Sequence, residues 1–162
     1  MLENLQNLVR EHAGDAIINN PAIPNERNEE AVADASSSII SGLKTAVANG
    51  NTDEVQSLFK NGPAGASTSP VAQNIQSGFA QNLMQKFGLD SGKAGGIAAS
   101  LIPMVLQKFV HKTNDPNDKS FNLSDVLGGL TGGGGLGSIM NSLGGGDKDG
   151  GGIMGKIGGM FK

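Results

Sequence analysis

SGKAGGIAASLIPMVLQKFVHK, residues 91–112, is the stretch on which the fold turns. Leu101, Ile102, Val105, Leu106 and Phe109 recur at helical steps and give the most apolar surface in the chain. A helix of that character belongs at the centre of an all-α domain, covered by other helices. Gly92, Gly96 and Ser100 form a ridge of small residues, with Gly95 and Ala99 beside it. Such a ridge predicts the close approach of another backbone. Pro103 lies inside the pattern; it lacks an N–H and crowds the preceding turn, so a kink or a split is expected.

Working outward toward the N-terminus, Gly88 and then Asp90 or Ser91 mark a helix stop and a new cap. Before them, a helix from about Pro70 carries Val71, Ile75, Phe79, Leu83 and Phe87 at successive turns. GPAGASTSP, residues 62–70, reads as a flexible connector. Asn51-Thr52-Asp53-Glu54 has capping-box spacing and opens a short helix with Val55, Leu58 and Phe59 inward. A longer helix begins near Asn25 or Asn28, with Glu26, Glu29 and Glu30 at the positive end of its dipole. Its inner face is Val32, Ala35, Ile39, Leu43 and Val47, and it stops at Asn49-Gly50. The opening helix presents Leu2, Leu5, Leu8, Val9 and Ala13, and a turn-rich stretch then runs to Pro24 with Ile17, Ile18 and Ile23 as buried pegs.

Toward the C-terminus, the polar loop TNDPNDKS (113–120) leads into a different composition. From Gly128 to Gly159, sixteen of 32 residues are glycine. Leu123, Val126, Leu127 and Leu130 form one apolar cluster; Leu136, Ile139, Met140 and Leu143 form a second; Ile153, Met154, Ile157, Met160 and Phe161 form a third. Each is spaced like a helix, yet each interior Gly costs about 1 kcal/mol relative to Ala. A surface or partner would have to supply the missing stability. The expected organisation is an all-α, multi-helical domain over 1–122 and a flexible glycine-rich tail over 123–162.

Composition narrows the chemistry. The 162 residues include six Phe but no Trp, Tyr or Cys, which removes Tyr and Trp stacking platforms, thiolate nucleophiles, disulfides and Cys-ligated zinc. Residues 1–60 carry nine acids and four bases (−5), 61–114 one acid and four bases (+3), and the remainder five acids and four bases (−1). Complementarity between the acidic and basic parts is the favoured reading of that asymmetry. The start lacks a basic n-region followed by an apolar h-region, and the longest uncharged apolar-rich run, Ala94 to Gln107, is short of the ~20 residues a bilayer needs. A soluble cytoplasmic protein is expected.

Local motifs do not define an enzyme. His12 and His111, the two histidines, lie near helix ends about a hundred residues apart. Asp115, Asn117, Asp118, Asn122 and Asp125 make an oxygen-rich loop, but an EF-hand starting at Asp115 would have Lys119, Ser120 and Val126 at positions five, six and twelve. Asn122 or Ser124 capping a short helix explains the loop better. The tail's glycines match no phosphate-binding loop, since no G-x-x-x-x-G-K-[ST] occurs. No cofactor, metal or small-molecule substrate is inferred.

The FGLDS turn at 87–91 has the look of a helix-turn-helix, with Lys86, Lys93, Lys108 and Lys112 as candidate nucleic-acid contacts. The following helix, however, offers one Lys and small apolar side chains where base readout needs longer polar ones. The final peptide places Ile153, Met154, Ile157, Met160 and Phe161 beside Lys156 and Lys162, which makes a membrane surface another candidate partner.

The opening LENLQNLVREHAGDAIINNPAIPNE, the helical body and the run Val126-Leu127-Gly128-Gly129-Leu130 together resemble the YidB-like family of bacterial proteins of unknown function. The resemblance covers about residues 1–130. It implies a compact multi-helical fold, homeodomain-like in part, and brings no catalytic residues. The expected function is therefore a non-enzymatic interaction or assembly protein that contacts itself or a protein partner. Its expected contacts are the Gly92, Gly96 and Ser100 ridge and the tail residues Leu127, Leu130, Leu136, Ile139, Met140, Ile153, Met154, Ile157, Met160 and Phe161.

Overall fold

The apolar helix does run through the centre. In the computed structural model, which describes residues 2–130, it extends from Ser91–Asn114. Chain order among the described residues is α1 (Leu2–His12), α2 (Asn28–Ala48), α3 (Thr52–Lys60), α4 (Gly62–Thr68), α5 (Pro70–Phe87), α6 (Ser91–Asn114) and α7 (Leu123–Leu130). A π-helical turn (Gly14–Ile18) and a 3₁₀ turn (Asn25–Arg27) link α1 to α2, and no strand occurs among these residues. The body is all-α. α6 packs against α1, α3, α4 and α5, and α2 lies across α1 and α5.

One continuous core joins these helices. Leu101, Ile102, Val105, Leu106, Phe109 and Val110 of α6 are all buried. Phe109 sits between two edge-on rings, Phe59 at 5.8 Å and Phe121 at 5.0 Å between centroids. Such edge-to-face pairs add about 0.5–1.5 kcal/mol each beyond the area they bury. Phe121 thereby ties the polar loop after α6 back into the core. Val32, Ala35, Ile39 and Leu43 of α2 are buried as their spacing requires, while Val47 is half-buried.

Local stop and start signals act where the sequence places them. Gly50 and Gly88 adopt φ of +85° and +67°, conformations that favour glycine, and each follows a helix end. Asp90 accepts from the Lys93 N–H at 2.8 Å and starts α6. Ser69 accepts from the Ala72 N–H at 3.0 Å and starts α5. Asn122 accepts from the Ser124 N–H at 2.9 Å at the start of α7. Asn51 precedes α3 but makes no side-chain capping bond, so the expected capping box does not form.

Ile18, expected as a buried peg, is exposed, and three expectations about the elements also need correction. The 62–70 segment is not a connector: Gly62–Thr68 is helix α4, packed on α6. Pro63 fits the first turn, where its missing N–H has no helical partner to lose, and Ala66 is fully buried. A hydrogen bond from Gln107 Nε2 to Ser67 Oγ fastens α4 to α6. Next, Pro103 does not split α6, which continues for 24 residues. Pro103 is half-exposed and Ala99 exposed, so the carbonyl released by the missing N–H lies on the solvent side.

The third concerns 123–130, grouped by composition with the tail. This segment is α7, packed against α2, with Val126 and Leu130 buried and Leu127 half-buried. The surface of α2 supplies what Gly128 and Gly129 withhold. Leu136, Ile139, Met140, Leu143, Ile153, Met154, Ile157, Met160 and Phe161 lie outside the described residues.

Candidate functional site

α2 and α5 pack along a shared seam, with one especially close contact. The contact is Gly42: a Cβ there would lie 2.3 Å from Ile75 Cγ1, so only glycine lets the helices approach so far. On either side, an open groove of about 520 Å³ runs along the seam. From α2 it is lined by Asp34, Ser38, Ser41, Thr45 and Asn49, and from α5 by Asn74, Gly78, Gln81, Asn82 and Lys86. These positions recur every three or four residues, so they form one face of each helix. Gly78 has nothing within 4 Å of where its Cβ would stand and leaves the α5 wall low.

The groove mixes polar side chains with the apolar Ala46, Val71 and Ile75, and it has a charged end. Lys86 Nζ donates to Asp34 Oδ1 at 2.6 Å, while Asp34 is only 8 % exposed. Oδ2 of the same carboxylate is buried and has no hydrogen-bond partner among the described residues. A buried acceptor left unmade costs about 1–3 kcal/mol or more when charged, so this oxygen demands a donor. Asn82 Nδ2 donates to Ser38 Oγ at 3.2 Å and closes the floor beside the ion pair. Asn28 Oδ1 is also buried without a partner, but it belongs to the first turn of α2 and does not line the groove.

Arg27 locks that end of the seam. Its guanidinium donates to the Lys86 carbonyl at 2.8 Å and to both oxygens of Glu30, and lies 4.2 Å from the centre of the Phe87 ring. The charge-assisted bond from Arg27 lowers the Glu30 pKa, with the Coulombic pull of Arg27 adding to it. The start of α2 is thus held against the end of α5, which fixes Asp34 opposite Lys86. That pair is also where the acidic 1–60 region meets the basic 61–114 region within ion-pair distance.

The lysines singled out from the sequence are mostly engaged. Lys86 holds Asp34, Lys93 lies 3.8 Å from Asp90, and Lys112 donates to Asp118 at 3.0 Å. Lys108 is exposed. Three of the four charges are balanced by a neighbouring aspartate, which weakens any field they could offer a phosphate backbone.

The small-residue ridge faces outward. Gly92, Gly96 and Ser100 are exposed, and nothing lies within 4 Å of a Cβ placed on Gly96. Expected as a close-packing surface, the ridge is instead open, and its Gly96 and Ser100 line a depression of about 520 Å³ beside Asp15, Asn20 and Lys93. Ile97 and Ala98 turn inward, so the small residues fall on the side that α5 and α4 leave uncovered.

The remaining candidates do not line the groove. His12 is half-buried at the end of α1 and His111 exposed in the last turn of α6. In the oxygen-rich loop, Asp118 Oδ1 accepts from the Ser120 N–H and Oδ2 from Lys112, bonds that hold its pKa down to about 2. Asp115 Oδ1 accepts from the Asn117 N–H at 2.9 Å. These carboxylates close turns, and no three His, Cys, Asp or Glu side chains among the described residues gather in a metal-binding group. No described helix is long and apolar enough to cross a membrane.

The groove residues escape a motif search because hydroxyls and amides carry no signature. A usable signal was nevertheless present. Over 31–43, α2 has a single charge, Asp34, and carries Ser37, Ser38 and Ser41 on the face opposite its apolar stripe, where a helix usually bears Lys and Glu. Comparison with family models, with curated proteins and with solved structures gives no match.

Proposed function

We propose that this chain is a non-enzymatic interaction protein that engages a protein partner or a second copy of itself through its helical surface. The glycine-rich segment after Leu130 is its second contact. The observation that carries the reading is the α2–α5 groove. It is open, and donors and acceptors line it beside the apolar Ala46, Val71 and Ile75, with the Asp34–Lys86 ion pair at one end.

The test is the mass in solution of three proteins: the full chain, a chain ending at Leu130, and the full chain with Gly78→Leu. A cut at residue 127 would be uninformative, because it removes Leu130 from the core. Association in the full chain that is lost in either altered protein supports the reading. Three proteins that each run at their own monomer mass, with the same cross-linked partners in cells, would remove it.

A further inference from the structure

We infer that Asn61–Gly62, at the bend between α3 and α4, is a site of spontaneous deamidation, and that the way α3 ends sets it apart from the identical pair Asn49–Gly50.

Asparagine before glycine carries a particular chemistry. The glycine backbone nitrogen can attack the asparagine Cγ, because no side chain on the glycine blocks the approach. A nitrogen–carbon bond forms, and the side-chain amide leaves as ammonia with the proton of the glycine N–H. Water then opens the five-membered imide at one of its two carbonyls, leaving aspartate or isoaspartate. The reaction needs an exposed asparagine, a glycine N–H that is not tied down and a peptide plane that can turn.

The sequence has two such pairs, Asn49–Gly50 and Asn61–Gly62. Both asparagines are exposed, follow a helix and have ψ near zero, 3° and 0°. Both glycines have positive φ, +85° and +69°, and open space where a Cβ would stand. Exposure and crowding therefore do not separate the pairs. Hydrogen bonding does.

At the end of α2 the turn is closed twice. The Gly50 N–H donates to the Val47 carbonyl at 3.1 Å, and the Asn51 N–H to the Ala46 carbonyl at 2.9 Å. These are the paired bonds of a Schellman motif. Turning the Asn49–Gly50 peptide toward the side chain breaks the bond that holds its nitrogen.

At the end of α3 the same closure is prevented. The residue matching Asn51 is Pro63, which has no N–H to give to the Leu58 carbonyl. The carbonyl matching that of Val47 belongs to Phe59, and Asn114 Nδ2 of α6 donates to it at 2.7 Å. The Asn114 amide thus takes the place that the Gly62 N–H would fill. Pro63 also favours extended backbone at Gly62. A counter-rotation of Asn61 ψ and Gly62 φ turns the peptide plane and leaves the flanking helices in place, and glycine accepts the new φ. Gly65 gives the Asn61 side chain room, since a Cβ there would lie 2.7 Å from Asn61 Cβ.

The product places a carboxylate at the C-terminal end of α3, where the helix dipole is already negative. Isoaspartate also adds a methylene to the chain between two helices that pack on α6.

The test is tryptic peptide mass spectrometry of the full chain, aged in mildly alkaline buffer at physiological temperature. Cuts after Lys44, Lys60 and Lys86 put Asn49 and Asn61 on separate peptides, 45–60 and 61–86, with fragment masses locating the changed residue. Each native rate is divided by the rate of the same site in denaturant, which removes the effect of neighbouring sequence. Two hydrogen bonds present at one site only should put the Asn61 ratio about tenfold or more above that of Asn49. Isoaspartate at 61, eluting apart from aspartate, is the expected mark of the imide. Pro63→Ala restores an N–H and keeps a good helix former in the first turn of α4, so it should bring Asn61 toward the pace of Asn49. Asn61→Gln should abolish the change in 61–86 and leave that in 45–60 as it was.

Equal ratios, a faster Asn49, or no native reaction at Asn61 while the denatured chain reacts would overturn the proposal. An Asn61 that reacts as fast in folded Pro63→Ala would remove the missing closure as the cause, and the assignment with it.

Discussion

Gly78 and Phe79 are neighbours in sequence and belong to different regions of the molecule. Phe79 and Leu83 stand on the core side of α5, fully buried. Gly78 and Asn82 stand on the groove side, where one has open space and the other reaches across to Ser38. The same helix therefore serves one seam closed by shape and another left open, with polar and apolar side chains on its walls. Apolar residues close the first because burial is their main source of free energy. Polar side chains along the second gain less from burial, so that seam has a weaker drive to close.

The sharpest way to break this contrast is Phe79→Ala. Emptying a fully buried ring site should cost about 3–5 kcal/mol in chemical denaturation. A loss near zero would mean that the packed seam of α5 is not packed. Next comes Gly42→Ala, where the two regions meet. The added methyl would overlap Ile75, and overpacking of this kind costs about 1–3 kcal/mol unless the side chain moves aside. Thermal melting reads it, and an unchanged melting temperature would show that the helices part freely at that point.

On the exposed side of α6, Gly96→Ala should stabilise by about 0.5–1 kcal/mol, since helical glycine is costly and the site is open. A destabilising result would show that the ridge packs against something after all. The smallest effect at neutral pH involves neither seam. Asp118 has a folded pKa of about 2, below its ordinary 3.8, so its contribution to stability is complete above the ordinary value. It is lost as pH falls through 2. Unfolding curves of the parent should weaken over that acid range more steeply than those of Asp118→Asn.

Much of the scaffold was legible in the chain. The apolar stripes of α2, α5 and α6 and the stops at Gly50 and Gly88 follow from rules that operate within one or two turns. The Asp90 and Asn122 caps do too. Less legible were the elements whose stability is borrowed. GPAGAST contains two glycines and a proline, and forms α4 because α6 buries Ala66. Leu123–Leu130 holds two glycines and forms α7 because α2 covers Val126 and Leu130. The candidate site was the least legible part. Serines and asparagines on one helix face acquire meaning only when a second helix stands opposite.

The sequence by itself thus determined an all-α body, its central helix, most helix ends and the lack of a recognisable catalytic motif. These depend on periodicity, cap chemistry and glycine's access to positive φ, all local properties. Tertiary structure alone decided that α6 runs through Pro103, that the Gly92, Gly96 and Ser100 ridge faces water, and that Asp34 lies buried beside Lys86 at the end of an open groove. Each of those outcomes depends on which surfaces other helices cover, and burial is a property of the assembled fold.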